Sequence, residues 1–283
     1  MPEFKGIDVS SWQGNINWAD VKRDGVQFAM LRVGAGLNAD RMFKRNIEGA
    51  NAEGINCGVY LYSLARTANE ALAEANFTLN AVKPYSFTLP IAFDIEDKAQ
   101  HALTNAQRTD LAQTYCGAIA NSGYLPMVYA SLSWFNTMLD LSRIASTEKW
   151  VAQWGQSCTF KSPYTMWQYS NKGRVNGING DVDLNISYRN YAGTKPDDSP
   201  LPPPIIVAPK APFAGQKLAL SQAALYATAT MKLPIKKLTG SYWCYDGIAI
   251  NGRIRITNSP VNVKKTPIGK YVTGYISLRD IGT

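Results

Sequence analysis

The sequence is short of the residues that metal and thiol chemistry need. It holds a single histidine, His101, and four cysteines, Cys57, Cys116, Cys158 and Cys244, with no CxxC spacing among them. That set argues against a zinc enzyme, and thiols so scattered read as structural groups, not as a secretory disulfide framework. His101 follows an acidic strand end and precedes a helix start, so a solvated loop position is expected for it. No run of about 18 uninterrupted apolar residues offers a membrane span. The opening MPEFKGIDVSSWQG lacks the basic and apolar regions of a secretory signal, so synthesis in a cytosol without Sec export is expected.

Acidic residues are also scarce, but only at one end. Residues 1–204 carry 18 Lys+Arg against 19 Asp+Glu, whereas residues 205–283 carry 11 against 2. The formal charge of +8 therefore resolves into a near-neutral body (−1) and a basic tail (+9), and two segments so different have different roles. What is present is 283 residues, 46% of them apolar, enough for one large domain and a small one. Seven of the fifteen prolines fall in residues 194–212, TKPDDSPLPPPIIVAPKAP. Proline donates no backbone hydrogen bond and biases the chain to polyproline II, so this stretch reads as a semi-rigid spacer. The expected organisation is a domain over 1–193, a linker over 194–212 and a second domain over 213–283.

Before the linker, β-branched and aromatic runs alternate with amphipathic stretches. Strands are expected at 5–10, 27–34, 56–63, 89–96, 125–131, 148–154, 164–170 and 181–187, with helices near 17–24, 40–54, 67–83, 104–121 and 133–140. In the 104–121 stretch Thr104 is a natural N-cap, and Leu111, Tyr115 and Ile119 follow helical spacing. This alternation predicts an α/β fold with a parallel sheet buried on both sides. Five βα units and three further strands, joined by segments too short for helices, predict an irregular TIM-like barrel. Its chemistry would lie at the C-terminal strand ends. After the linker, INGRIRIT (250–257) carries a hairpin signal in Asn-Gly. With GSYWCYDG (240–247) and KYVTGYISL (270–278) it predicts a small all-β barrel of five or more short strands.

Four carboxylates fall where barrel chemistry would put them: Asp8 in GIDVSSWQG, Asp94 and Glu96 in FDIED, and Asp183 in GDVDLN. Side chains at i and i+2 of a strand share a face, so Asp94 and Glu96 point together while Phe93 and Ile95 pack under the helices. Clustered carboxylates resist simultaneous ionisation, so at least one should keep its proton near neutrality. A protonated acid beside an ionised one suits glycosidic cleavage, in which one donates to the leaving oxygen and the other stabilises positive charge on the sugar. Ordinary strand-end acids salt-bridged to Arg32 or another neighbour are the plain alternative. A Mg²⁺ or Ca²⁺ site is a further one, although RVGAG (32–36) has too little of the GxGxxG pattern to be a phosphate loop. No cofactor or metal is expected. Trp12, Tyr60, Tyr62, Tyr129, Trp154, Trp167 and Tyr169 near strand ends can stack on pyranose faces, and Gln153 and Gln168 can hydrogen-bond hydroxyl or acetamido groups. Singly, each aromatic is more often a core or rim residue than a ligand contact.

Together GIDVSSWQG, GVYLYS, PIAFDIE and GINGDVDLN, in this order over about residues 4–192, resemble the family 25 glycoside hydrolases, the Chalaropsis-type muramidases of phage endolysins and bacterial autolysins. The resemblance implies a partial β/α barrel that cleaves the β-1,4 bond between N-acetylmuramic acid and N-acetylglucosamine in peptidoglycan. It also implies Glu96 as general acid, Asp94 as the residue that positions the acetamido group or stabilises charge, Asp8 and Asp183 completing the acidic ring, and Tyr62 as a helper. Through YWCYDG and NGRIRIT the tail resembles SH3b cell-wall-binding domains, with Tyr242, Trp243, Tyr245, Tyr271 and Tyr275 as candidate contacts. The arrangement looks like a phage endolysin, made in the host cytoplasm and released to a Gram-positive wall through a holin lesion. Peptidoglycan and the anionic wall are the expected partners, with no membrane insertion. RNA or a single strand would also suit a basic, aromatic tail, but the acidic body argues against it. A chitinase-like hydrolase and a non-catalytic wall binder are the rival readings.

Overall fold

A computed structural model describes residues 3–191, 212–231, 233–250 and 253–277. The linker proposed at 194–212 lies outside these residues except for Pro212, as does the Asn251–Gly252 turn. The chain divides into two compact units, Met1–Ile205 and Ile206–Thr283.

The first unit is built on β1 (Phe4–Val9), β2 (Phe28–Ala35), β3 (Asn38–Ala39), β4 (Asn56–Tyr62), β5 (Ile91–Asp94), β6 (Pro126–Ser131), β7 (Glu148–Ala152), β8 (Met166–Gly173) and β9 (Val182–Ser187). Helices α1 (Trp18–Arg23), α2 (Phe43–Ala52), α3 (Ala68–Val82), α4 (Asn105–Asn121) and α5 (Leu132–Thr137) follow the first five major strands. The strand order β1-β9-β8-β7-β6-β5-β4-β2, with β1 also paired to β2, makes an irregular eight-stranded barrel, and β3 is a short flap on β2. Helix starts follow local chemistry. Thr67 with Glu70 and Thr104 with Gln107 form capping boxes that satisfy the first backbone donors of α3 and α4.

One expectation needs correction. The eight barrel strands are parallel except at β9, which runs antiparallel to both β8 and β1, and the β3 flap is antiparallel to β2. The eight residues between Gly173 and Val182 are too few for a parallel crossover, which takes a dozen or more.

Two apolar layers position the site. Outward-facing residues, among them Phe93, Ile95, Val128 and Val151, pack beneath the helices with Leu111, Tyr115 and Ile119 of α4. Inward-facing residues Phe28, Met30, Ala92, Met127, Trp150 and Met166 fill the barrel. Glycine is required here by close approach, because a Cβ on Gly6 would sit 2.4 Å from the Phe28 ring. Continuing each inward row by two residues gives Asp8 after Gly6, Arg32 after Met30, Asp94 after Ala92, Tyr129 after Met127 and Gln168 after Met166. The apolar floor thus becomes polar at the C-terminal ends of the strands.

The second unit is a closed barrel of four antiparallel strands, β10 (Lys217–Tyr226), β11 (Lys236–Ile250), β12 (Arg253–Thr257) and β13 (Gly274–Ser277). Its core includes Leu218, Leu220, Leu225, Leu238, Ile254, Ile256 and Ile276. Four strands suffice where five or more short ones were expected, since register shifts at Leu220/Ala223 and Cys244/Ala249 divide two long strands. Such bulges bend a strand and increase its twist. Lys270 and Tyr271, expected to begin a strand, instead end a short helix, α6 (Ile268–Tyr271).

All four cysteines are free thiols, and burial pushes Cys57 and Cys116 up to about 12. His101 is exposed and meets the Trp134 ring edge-on at 5.2 Å. Among the described residues no helix is long and apolar enough to cross a membrane.

Candidate active site

A cleft of about 430 Å³ opens at the C-terminal ends of the barrel strands and takes in Asp8, Asp94, Glu96 and Asp183. Asp8 and Asp183 face one another directly across the antiparallel β1–β9 pair. Asp94 ends β5, and the Ile95 N–H still donates to the Tyr129 carbonyl at 3.1 Å. The extended backbone therefore continues past the strand and brings Glu96 to the same cleft.

Asp8, like Asp94, is almost wholly buried. Its Oδ2 accepts from Gln168 Nε2 at 3.0 Å and from Asn185 Nδ2 at 2.8 Å. Asn185 is itself held by the Trp150 Nε1–H at 2.8 Å. Burial, followed by the adjacent Asp183 charge, holds the Asp8 carboxyl well above the usual range. Its side-chain hydrogen bond to Asp183 pushes the Asp8 carboxyl up and holds that of Asp183 down, against the burial that raises both. Asp94 is raised first by burial, then by Glu96 and Asp8, with Arg32 opposing. Among the described residues its buried Oδ1 has no hydrogen-bond partner. Glu96 is half-buried and raised by desolvation, with smaller contributions from Asp183 and Asp97.

Arg32 does not salt-bridge the acidic ring. It pairs instead with the buried Asp40 at 2.7 Å and donates to Ser11 Oγ at 3.1 Å. Asp40 also accepts from the Ser11 N–H at 2.9 Å, so this network fixes the loop that carries Trp12.

Aromatic groups surround the acids. Tyr60, Tyr62, Tyr129, Trp12 and Trp154 all line the cleft. Tyr62 donates to Asp97 at 3.1 Å. Tyr129 Oη and Trp154 Nε1 both donate to Gln168 Oε1, at 3.2 and 3.1 Å. Trp12 and Trp154 are 84% and 59% exposed, which leaves their faces open to a ligand.

Three expected contacts are not there. Trp167 lies on the opposite face of β8 from Gln168, buried against Tyr169, and its Nε1 donates to the Gln153 carbonyl at 2.7 Å. The Gln153 side chain is taken up by Thr159, whose N–H it accepts at 2.7 Å. Neither residue lines the cleft, and Tyr169 is absent from its lining as well. Conversely, Ser10, Gln13, Arg32, Trp150 and Asn171 line it without having been assigned to substrate contact. Of these, Arg32 and Trp150 were readable from the inward phase of their strands.

In the second unit, Tyr242, Trp243, Tyr271 and Tyr275 are half-buried at the surface. Tyr245 is corrected to a core residue. It is 2% exposed, and its hydroxyl donates to the Lys265 carbonyl.

The model of the glycosyl hydrolases family 25 matches residues 7–178. Lysozyme M1 of Streptomyces globisporus is 35% identical over 196 residues, covering 64% of this chain and 66% of its own. The modular autolysin LytC from Streptococcus pneumoniae, solved in complex with a synthetic peptidoglycan ligand, superposes with a TM-score of 0.62 at 27% identity, over 66% of this chain and 47% of that one. The catalytic domain of endolysin ply40, from a Listeria monocytogenes bacteriophage, superposes with a TM-score of 0.57 at 25% identity, over 66% of this chain and 93% of that one. The chain thus spans about two thirds of Lysozyme M1 and about half of LytC. With the family model matching more than half of its residues, the chain belongs to glycosyl hydrolase family 25.

Proposed function

We propose that the protein is a muramidase that hydrolyses the β-1,4 bond between N-acetylmuramic acid and N-acetylglucosamine in Gram-positive peptidoglycan. The observation that carries this reading is the pairing of Glu96 and Asp94. Glu96 is held towards its protonated form at a cleft edge, beside a buried Asp94 oxygen that has no partner among the described residues. A protonated Glu96 gives its proton to the leaving O4 as the glycosidic bond breaks. The free Asp94 oxygen accepts the acetamido N–H and aims the acetamido carbonyl oxygen at the anomeric carbon. Attack by that oxygen gives a cyclic oxazolinium ion. Water then adds at the anomeric carbon, with the Glu96 carboxylate taking the water's proton. Trp12 and Trp154, open at the cleft rim, provide stacking surfaces for neighbouring sugars.

The likenesses to an autolysin and an endolysin support a role in breaching a bacterial wall, and we assign the endolysin role. The second unit is read as an SH3b-like anchor. Its small closed barrel and the +9 charge of residues 205–283 suit retention on a polyanionic wall. Glu96→Gln is expected to abolish turbidity loss of wall suspensions while the protein still sediments with walls. Unchanged lysis would remove Glu96 from the mechanism. Product analysis on purified peptidoglycan should give new reducing ends on muramic acid. Cleavage of chitin in preference would establish the chitinase-like rival, and wall binding with no cleavage of either polymer would establish a binding protein.

A further inference from the structure

We propose that Lys265, Tyr271 and Lys270 form a binding site for the phosphodiester groups of an anionic wall polymer, an assignment that rests on the reading of the second unit as a wall anchor.

The geometry is specific. The Lys265 and Lys270 ammonium groups lie 5.8 and 5.6 Å from the centroid of one ring, that of Tyr271. Two like charges gathered on one aromatic ring repel, and an anion between them relieves that repulsion. Among the described residues no carboxylate forms an ion pair with either lysine. Among the described residues of this unit the one ion pair is Arg255 with Asp246, at 2.6 Å and largely buried. Asp246 is thus taken up by Arg255 and not by either lysine.

The surface is also held from inside. Buried Tyr245 accepts the Lys264 N–H on its carbonyl at 3.2 Å and donates its hydroxyl to the Lys265 carbonyl. Lys264 takes a left-handed backbone, with φ +57. Non-glycine residues hold such a conformation where surrounding contacts over-determine it, as at ligand clamps. The Lys270 N–H closes the turn on the Pro267 carbonyl at 3.1 Å, and every residue from 264 to 270 is exposed. The core thus holds the backbone that carries the two cations and the aromatic face, which lowers the ordering cost of binding. Lysine suits a phosphate as a compact point charge with three donors, and the Tyr271 face suits the carbon chain between phosphates.

The test uses the full chain in a Glu96→Gln background, so that walls survive the assay. Binding to Gram-positive walls is measured across salt concentrations, before and after acid stripping of their phosphodiester polymers. Lys265→Gln/Lys270→Gln is compared with Lys217→Gln/Lys237→Gln, an equal charge change at exposed positions elsewhere on the barrel. The first pair is expected to lose about tenfold in affinity at moderate salt, and its log K against log salt slope should flatten by about two. The control pair should lose far less, and stripped walls should abolish the difference. Circular dichroism confirms that each variant is folded. Equal losses from both pairs would show a net-charge effect and overturn the site. Undiminished binding to stripped walls would also overturn it while leaving the anchor standing. No wall binding by the parent would overturn both. Tighter binding to a single-stranded oligonucleotide than to walls, lost with the same two lysines, would assign the surface to nucleic acid instead.

Discussion

Asp8→Asn is the sharpest probe of the acidic ring, because asparagine copies the protonated form of the residue it replaces. The amide oxygen can keep the bonds from Gln168 and Asn185, and the amide N–H can replace the carboxyl proton shared with Asp183. In the unfolded chain Asp8 ionises near pH 3.9, whereas in the fold burial and Asp183 keep it protonated well above that. The native state therefore binds more protons than the unfolded state, and stability falls as pH rises from about 4 towards the native pKa. Each pH unit in that window costs about 1.4 kcal/mol per retained proton. Asp94, Glu96 and Asp183 are also raised, with burial the first cause in each, so the parent slope contains more than the Asp8 contribution. Asp8→Asn should remove one proton from it. Near pH 4 parent and variant should agree within about 1 kcal/mol, the scale of one altered hydrogen bond. With rising pH the variant should become the more stable, its slope shallower by about 1.4 kcal/mol per pH unit.

Urea unfolding followed by tryptophan fluorescence from pH 4 to 8 measures this, since six of the seven tryptophans lie in the first unit. An unchanged slope, or a variant less stable than the parent at pH 8, would refute the reasoning. Either result would mean that Asp8 is ionised and stabilised by its two amide donors.

Arg32→Met should destabilise the first unit by about 3–5 kcal/mol in the same assay, because it leaves the buried Asp40 carboxylate without its cation. Adding Asp40→Asn should recover most of the loss. Gly6→Ala should cost about 1–3 kcal/mol by driving a methyl into the Phe28 ring, and the double variant with Phe28→Leu should be less than additive. Burial is the first cause of the raised Glu96 pKa and Asp97 a lesser one. Asp97→Asn should therefore move the alkaline limb of the lysis pH profile to lower pH, and an upward shift would contradict the assignment of Glu96 as acid.

The barrel was legible because its strands are short, apolar and separated by helices with clear caps, as at Thr104 and α4. The direction of β9 was legible only in part. The short 174–181 connection excludes a helix, but it takes the pairing of Asp8 with Asp183 to show the reversal. In the tail, periodicity marked β-structure correctly, yet bulges are silent in the alternation. The expected run at 240–247 proved to be part of the long β11, and no run was marked over β10.

Errors in the site have one physical origin, the phase of the strand. Asp94 and Glu96 were placed together by i and i+2 spacing, and that spacing survives past β5 because Ile95 remains bonded to β6. The same rule separates Trp167 from Gln168, since Met166 points into the barrel and only the residue two further on can follow it. Gln153 obeys the same rule. Trp150 and Ala152 point into the barrel and Val151 away from it. The ladder continues past β7 through the Gln153 N–H to the Gln168 carbonyl at 3.1 Å, so Gln153 keeps the outer phase and Trp154 reaches the cleft. What no periodicity encodes is which carboxyl is pushed up further. Asp8 and Asp183 have the same chemistry and face one another in register, and depth separates them. Asp8 carries Gln168 and Asn185 on one oxygen and is almost wholly buried, whereas Asp183 is half-buried. The less solvated carboxyl is pushed up the further, and that asymmetry exists only once β9 has closed the barrel against β1.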